Sequence, residues 1–168
     1  MRTFEITTAI AILSAASLTA QQTGPAVPMR DFASSADVAA LIAQAKSEHK
    51  EGQPLLSKPI LTLAPINANL EYRTAVAPAA VHETEAEIFY VIEGSGTMVT
   101  GGQLIGEKRL NAENLNGTGI KNGRSRRVAK GDFTIVPQGV PHWFSQIDGT
   151  LVLMSLHVPR KSDPVTAP

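Results

Sequence analysis

The sequence predicts an all-β domain, an antiparallel barrel or sandwich, preceded by one amino-terminal helix. Three observations carry this. Residues 55–160 divide into short apolar runs, such as "AEIFYVIEG", "GTMVTGG" and "TLVLMSLHVP", each cut by Gly, Pro, Asn or Asp. No helical periodicity separates them, and successive short strands without intervening helices favour antiparallel pairing. Ahead of them, "SSADVAALIAQAKSEHK" carries apolar residues at helical spacing.

From the amino terminus, residues 1–20 read as a signal peptide. Arg2 is followed by an apolar stretch from Ile6 to Leu18, and small residues offer cleavage after Ala16 or Ala20. The stretch is too short and too rich in Thr and Ser for a membrane span. Residues 21–54 form a linker and the helix. Ser34 or Ser35 caps it, Asp37 lies in its first turn, and Val38, Leu41, Ile42 and Ala45 make one packing face. Gly52 and Pro54 end it, which leaves His49 in a last polar turn expected to be solvated. The β-domain spans 55–160, and 161–168 is a tail. Residues 111–123 read as a polar loop. Lys121, Arg124, Arg126, Arg127 and Lys130 read as the solvated face of a hairpin.

Composition excludes several functions. Lys+Arg and Asp+Glu number 15 each, so no basic excess supports nucleic-acid binding. The chain has no cysteine, which removes disulfides, thiolate metal sites and thiol nucleophiles. Any metal must be held by His, Asp, Glu or backbone oxygen.

Two stretches carry chemistry. In "AVHETEAEIFYVIEG", alternation from Glu87 puts Glu87, Phe89 and Val91 on one face and Ile88, Tyr90 and Ile92 on the other. Both faces are apolar beyond Glu87. A carboxylate at the mouth of such a strand is costly unless it is paired or bound to a cation. Glu87 therefore stands apart from Glu83 and Glu85, which read as solvated. In "GDFTIVPQGVPHWFSQ", Gly131 and Asp132 turn the chain, Pro137, Gly139 and Pro141 shape a second turn, and His142 follows. Simple alternation puts His142, Phe144 and Gln146 on one face and Trp143 on the other.

Together the two stretches resemble the paired motifs of the cupin superfamily, roughly G(x)5HxH(x)3–4E(x)6G and G(x)5PxG(x)2H(x)3N. His82, Glu87 and Gly94 match the back of the first motif, and Gly131, Pro137, Gly139 and His142 match the second. The resemblance covers about residues 65–158. It implies a cupin-type barrel, a double-stranded β-helix or jelly roll, with both motifs bringing ligands to one interior site. Two positions depart from the pattern: Ala80 stands where the first histidine belongs, and Gln146 stands for the final Asn.

The resemblance thus implies a reduced metal set of His82, Glu87 and His142. Two imidazoles and a carboxylate suit a divalent transition ion, Fe or Mn ahead of Zn or Ni. Gln146 and Tyr72 are candidate substrate contacts. His157 has two readings: a core or edge histidine, or a residue reaching the same cavity in place of the donor missing at Ala80. The resemblance also implies a homodimer, for which the face of Ile88, Tyr90 and Ile92 is suited.

Three functions follow. The first is a periplasmic or secreted metal-dependent enzyme acting on a small polar organic substrate. The second is a non-catalytic binder of a sugar or organic acid. The third is a structural oligomer with a vestigial cluster.

Overall fold

The computed structural model of the protein describes residues 29–159. The expected signal peptide, residues 21–28 of the expected linker, and the tail lie outside the described residues. Among the described residues, no helix is long and apolar enough to cross a membrane.

Helix α1 (Ser35–Glu48) starts where its cap predicts. The Asp37 backbone N–H donates to Ser34 Oγ, and the Ser34 N–H donates to the Asp37 carboxylate. This capping box satisfies two donors at once. Ala45 is fully buried, and Val38, Leu41 and Ile42 pack beside it.

His49 differs from expectation. It is half-buried at the helix end, with Nε2 2.6 Å from the Gln53 carbonyl and 2.9 Å from Thr74 Oγ1. Its ring meets Tyr72 edge-on at 5.6 Å. The cause is non-local: Thr74 returns to bond the Pro54 carbonyl, which closes the sheet against the helix end.

Among the described residues eleven strands follow: β1 (Leu55–Leu63), β2 (Ile66–Arg73), β3 (Ala79–His82), β4 (Glu85–Thr100), β5 (Gln103–Ile105), β6 (Lys108–Arg109), β7 (Asn114–Gly117), β8 (Gly119–Lys121), β9 (Arg124–Ala129), β10 (Phe133–Val136) and β11 (His142–Pro159). Every pairing is antiparallel, as the sequence predicts. The polar loop expected at 111–123 instead contains β7 and β8. Strand β7 pairs β3, and β8 forms a small ribbon with β5.

The long strands β4 and β11 form the spine. They pair from His142↔Thr100 to Pro159↔Glu85, with register shifts between Phe144 and Gln146, Ile147 and Leu151, and Val152 and Leu153. Each shift can bend the strand and change which residues face inward. On its free edges β11 also carries β2 and touches β3 through His142↔Ala80. One chain segment therefore reaches both ends of the interior.

Two apolar clusters hold this frame. The interior one contains Phe89, Val91, Met98, Val136, Phe144, Leu151 and Leu153. The second joins the helix to the outer sheet face through Ala45, Ile60, Leu70, Tyr72 and Val152. Burying each such leucine or phenylalanine is worth about 1.5–3 kcal/mol before conformational entropy is subtracted. The face of Ile88, Tyr90 and Ile92 is partly taken by the helix cluster, which Ile92 joins. Strand β10 extends the rest of that face with Phe133 and Ile135, 68% and 64% exposed. Arg124, Arg126 and Arg127 are exposed on β9, with Arg127 paired to Asp148.

Candidate metal centre

Four side chains converge where the ends of β3, β4 and β11 meet. His82 closes β3, Glu87 lies near the start of β4, and His142 and His157 stand near opposite ends of β11. Gly139, at φ 73°, lets the preceding turn close tightly, and its N–H donates to the His82 carbonyl at 2.7 Å. That bond ties the approach to His142 onto the strand end carrying His82. His157 lies directly opposite Glu87 in the β4–β11 ladder.

Glu87 is the centre of the cluster. It is 3% exposed, and His142 is 6% exposed. Glu87 Oε2 lies 3.0 Å from His142 Nε2 and 3.3 Å from His82 Nε2, and Oε1 lies 3.3 Å from His157 Nε2. Ser155 Oγ donates to Oε1. No donor is aligned on Oε2, although that atom is fully buried. An unsatisfied buried carboxylate oxygen calls for a cation or a missing partner.

The outer shell fixes the imidazoles. Asn114 Nδ2 donates to Asn111 Oδ1 at 2.9 Å, so Asn114 Oδ1 faces His82 Nδ1, 2.6 Å away, as acceptor. His142 Nδ1 meets the Val140 carbonyl at 3.4 Å, and His157 Nδ1 meets Glu85 Oε2 at 3.0 Å. Each acceptor accepts a hydrogen bond from Nδ1–H, which places the proton of the neutral ring on Nδ1. In the neutral rings, all three Nε2 atoms then present lone pairs toward Glu87. Metal-ligating histidines are oriented in this way.

Protonation follows the same geometry. Burial alone would raise Glu87, but the imidazoles of His142, His157 and His82 set 3.0–3.3 Å from its oxygens hold it well below the usual carboxylate range. For His82, burial is the largest influence and opposes the charged form. The Glu87 carboxylate 3.3 Å away and the hydrogen bond to Asn114 outweigh it, and the net direction is upward. Hydrogen bonding to Glu87 pushes His157 up to about 9 against its burial, with Glu85 contributing. Without a cation, the cluster therefore holds itself together by binding protons. Ligand atoms of His82, Glu87 and His142 lie within 4.8 Å of one another, so the donor set fits a divalent ion.

The cluster opens onto a cavity of about 320 Å³, whose wall includes Ala80, Asn116, Leu110, Glu71 and Arg73. Arg73 donates to Glu71 through Nε at 2.8 Å and reaches it with Nη2 at 2.7 Å. Its guanidinium lies 4.8 Å from the Phe144 ring centroid. Among the described residues, Arg73 Nη1 has no protein acceptor.

The structure brings His82, Glu87 and His142 together but separates both expected substrate contacts from them. Gln146 is exposed and donates to Asp148, because the register shift after Phe144 ends the alternation that would have turned it inward. Tyr72 is buried in the helix cluster. On β2, alternation sends Glu71 and Arg73 to the cavity and Tyr72 to the opposite face. Trp143 does turn away from His142, with Nε1 donating to the Ala77 carbonyl at 2.9 Å. Sequence reasoning missed Glu71, Arg73, Asn114 and Glu85 as wall or outer-shell groups. The "EYR" triplet within an apolar strand was the one available signal: charged residues two apart on a strand share a face.

The fold and cluster define a class first: a small antiparallel β-barrel with an interior imidazole–carboxylate group able to hold a metal. Comparison then places the chain. The family model for Cupin matches residues 57–160, more than half the chain, and the protein belongs to the cupin family. No curated protein matches the sequence. Among solved structures, BH2720 from Bacillus halodurans is similar at 14% identity and TM-score 0.50, over 80% of this chain and 85% of that one. KdgF from Halomonas sp. is 18% identical with TM-score 0.49, over 68% and 89% of the two chains. The TT1209 protein from Thermus thermophilus is 15% identical with TM-score 0.48, over 70% and 95%. At these identities the likeness concerns the fold alone.

Proposed function

We propose that this cupin holds a divalent transition ion through His82, Glu87 and His142 and acts on a small organic acid bound in the adjoining cavity. The observation that carries the reading is Glu87 Oε2, buried without a donor and faced by two Nε2 atoms. An ion bound there supplies a Lewis acid, or a redox centre if it is iron. The protein's own part is positioning. Asn114 and the Val140 carbonyl hold the ring tautomers, and Arg73 offers Nη1 to an anionic group. The set of two imidazoles and one carboxylate supports Fe; the imidazoles also suit Zn or Ni, and the carboxylate admits Mn.

Elemental analysis of untagged protein tests the first half. About one ion per chain is expected, with loss in both His82→Ala and His142→Ala. An unchanged content in both variants overturns the assignment. Thermal shifts of the metal-loaded protein against small carboxylic acids and their amides test the second half. Stabilisation by the acids alone is expected, and equal response to the amides would remove Arg73 from the reading.

Ala80 favours a second reading, binding without turnover. It lies directly opposite His142 in register and contributes no donor where the family pattern has one. NMR of a stabilising acid incubated with the loaded protein separates the two: new resonances mean turnover, and an unchanged spectrum means a binding protein.

We also propose a periplasmic or secreted location, supported by the apolar leader of residues 1–20; amino-terminal sequencing near Gln21 checks it. The exposed pair Phe133 and Ile135 supports a homodimer, which sedimentation of the wild type and Phe133→Glu checks.

A further inference from the structure

We propose that His157 is a third imidazole ligand of the ion held by His82, Glu87 and His142, and that Glu85 is its positioning residue. The inference rests on the metal reading above but concerns a residue outside the two family motifs.

His157 Nε2 lies 3.3 Å from Glu87 Oε1, the same separation as between His82 Nε2 and Glu87 Oε2. The rings of His82 and His157 are 4.8 Å apart and edge-on. The backbone fixes this placement, since His157 is the cross-strand partner of Glu87.

The strand reaches the site twice because its alternation is broken. His142 and His157 are separated by an odd number of positions, so an unbroken strand would put them on opposite faces. The two shifts between Phe144 and Leu151 add an odd number of residues to β11 relative to β4 and so change the parity, whereas the shift after Val152 adds its residue to β4. Before them His142 and Phe144 face inward; after them Leu151, Leu153 and Ser155 are buried, and His157 continues that face.

His157 also has the outer partner expected of a ligand. Glu85 Oε2 lies 3.0 Å from Nδ1, which leaves Nε2 as the coordinating atom. The donor absent at Ala80, on β3, is thus replaced from β11 across the carboxylate.

The chain has four histidines, so each can be followed individually. Long-range proton–nitrogen NMR of the full chain, chelated and then given one equivalent of Zn(II), reads which ring nitrogens bind. Nε2 of His82, His142 and His157 should shift, and His49 should not. His157→Gln should weaken Zn(II) binding at least ~10-fold, and Glu85→Ala should weaken it by about 10-fold with Glu85→Gln partly restoring it. A response confined to His82 and His142, with unchanged affinity in His157→Gln, overturns the inference and leaves the metal reading standing. If no histidine responds to the ion, both fall.

Discussion

Glu87→Ala is expected to abolish metal binding and to lower the stability of the chelated protein at the same time. The carboxylate is the only anion in contact with all three imidazoles among the described residues, and both its oxygens are directed at them. Outer-shell partners of metal ligands are typically worth about 10–100-fold in affinity, so a charged ligand at the centre should be worth at least ~100-fold. Without metal, the substitution strands protonated imidazoles near Ser155 and Glu85. Breaking a buried ion pair commonly costs ~3–5 kcal/mol, but imidazoles can release their protons, so about 1–2 kcal/mol is expected. Glu87→Gln separates the two effects. It keeps the volume and an acceptor for Ser155 Oγ, and should lose the ion with less damage to the fold. Glu83→Ala is the control: Glu83 is paired with Arg109 at the surface and should leave metal content unchanged. Isothermal titration with Zn(II) and urea unfolding of the three chelated variants check both effects. Glu87→Ala binding metal as the wild type does would remove Glu87 from the site.

The contrast between Glu87 and its neighbours shows which parts of this molecule are legible in the sequence. Glu87 can be singled out because its cost is local: a carboxylate in an apolar strand needs a partner wherever that strand lies. His82 and His142 are legible through the spacing of two turn-bounded motifs. The helix start is legible because Ser34 and Asp37 complete their own capping box. Features depending on long-range register are not. Gln146 turns outward because of a single shift that "FSQ" does not announce. The inward position of His157 depends on the net effect of two such shifts in β11 and on pairing with a strand about seventy positions earlier. Tyr72 lies on the face opposite to the one expected because the phase of β2 is set by helix packing. That packing makes Leu70 and Tyr72 core and leaves Glu71 and Arg73 to the cavity. His49 likewise depends on a closure at Thr74 that no local pattern encodes.

The chelated protein should be most stable near pH 5–6.5 and should lose stability toward pH 9. Three groups set this window: Glu87 with one sign, and His157 with a smaller part from His82 with the other. Glu87 lies well below its unfolded value, so its contribution is present above about pH 4.3 and is lost as pH falls toward its folded value. His157 is pushed up to about 9, chiefly by its hydrogen bond to Glu87. Its contribution is complete below the unfolded value of about 6.5 and disappears as pH rises through the folded one. The displacement corresponds nominally to ~3 kcal/mol, but the ring is partly open to water, and screening reduces this to about 1–2 kcal/mol. For a domain of this size, that is about 2–8 °C in Tm between pH 6 and 9.5. His157→Gln should remove most of the slope and leave only the smaller part carried by His82, which is also shifted upward. Bound metal should reverse it: the ion competes with the proton for Nε2, so affinity rises over the same range in which the chelated protein weakens. Thermal unfolding of chelated and Zn(II)-loaded protein from pH 5 to 9.5 compares the two slopes. A chelated wild type whose Tm is flat across that range, or whose slope survives in His157→Gln, would show that His157 does not carry the proton between Glu85 and Glu87.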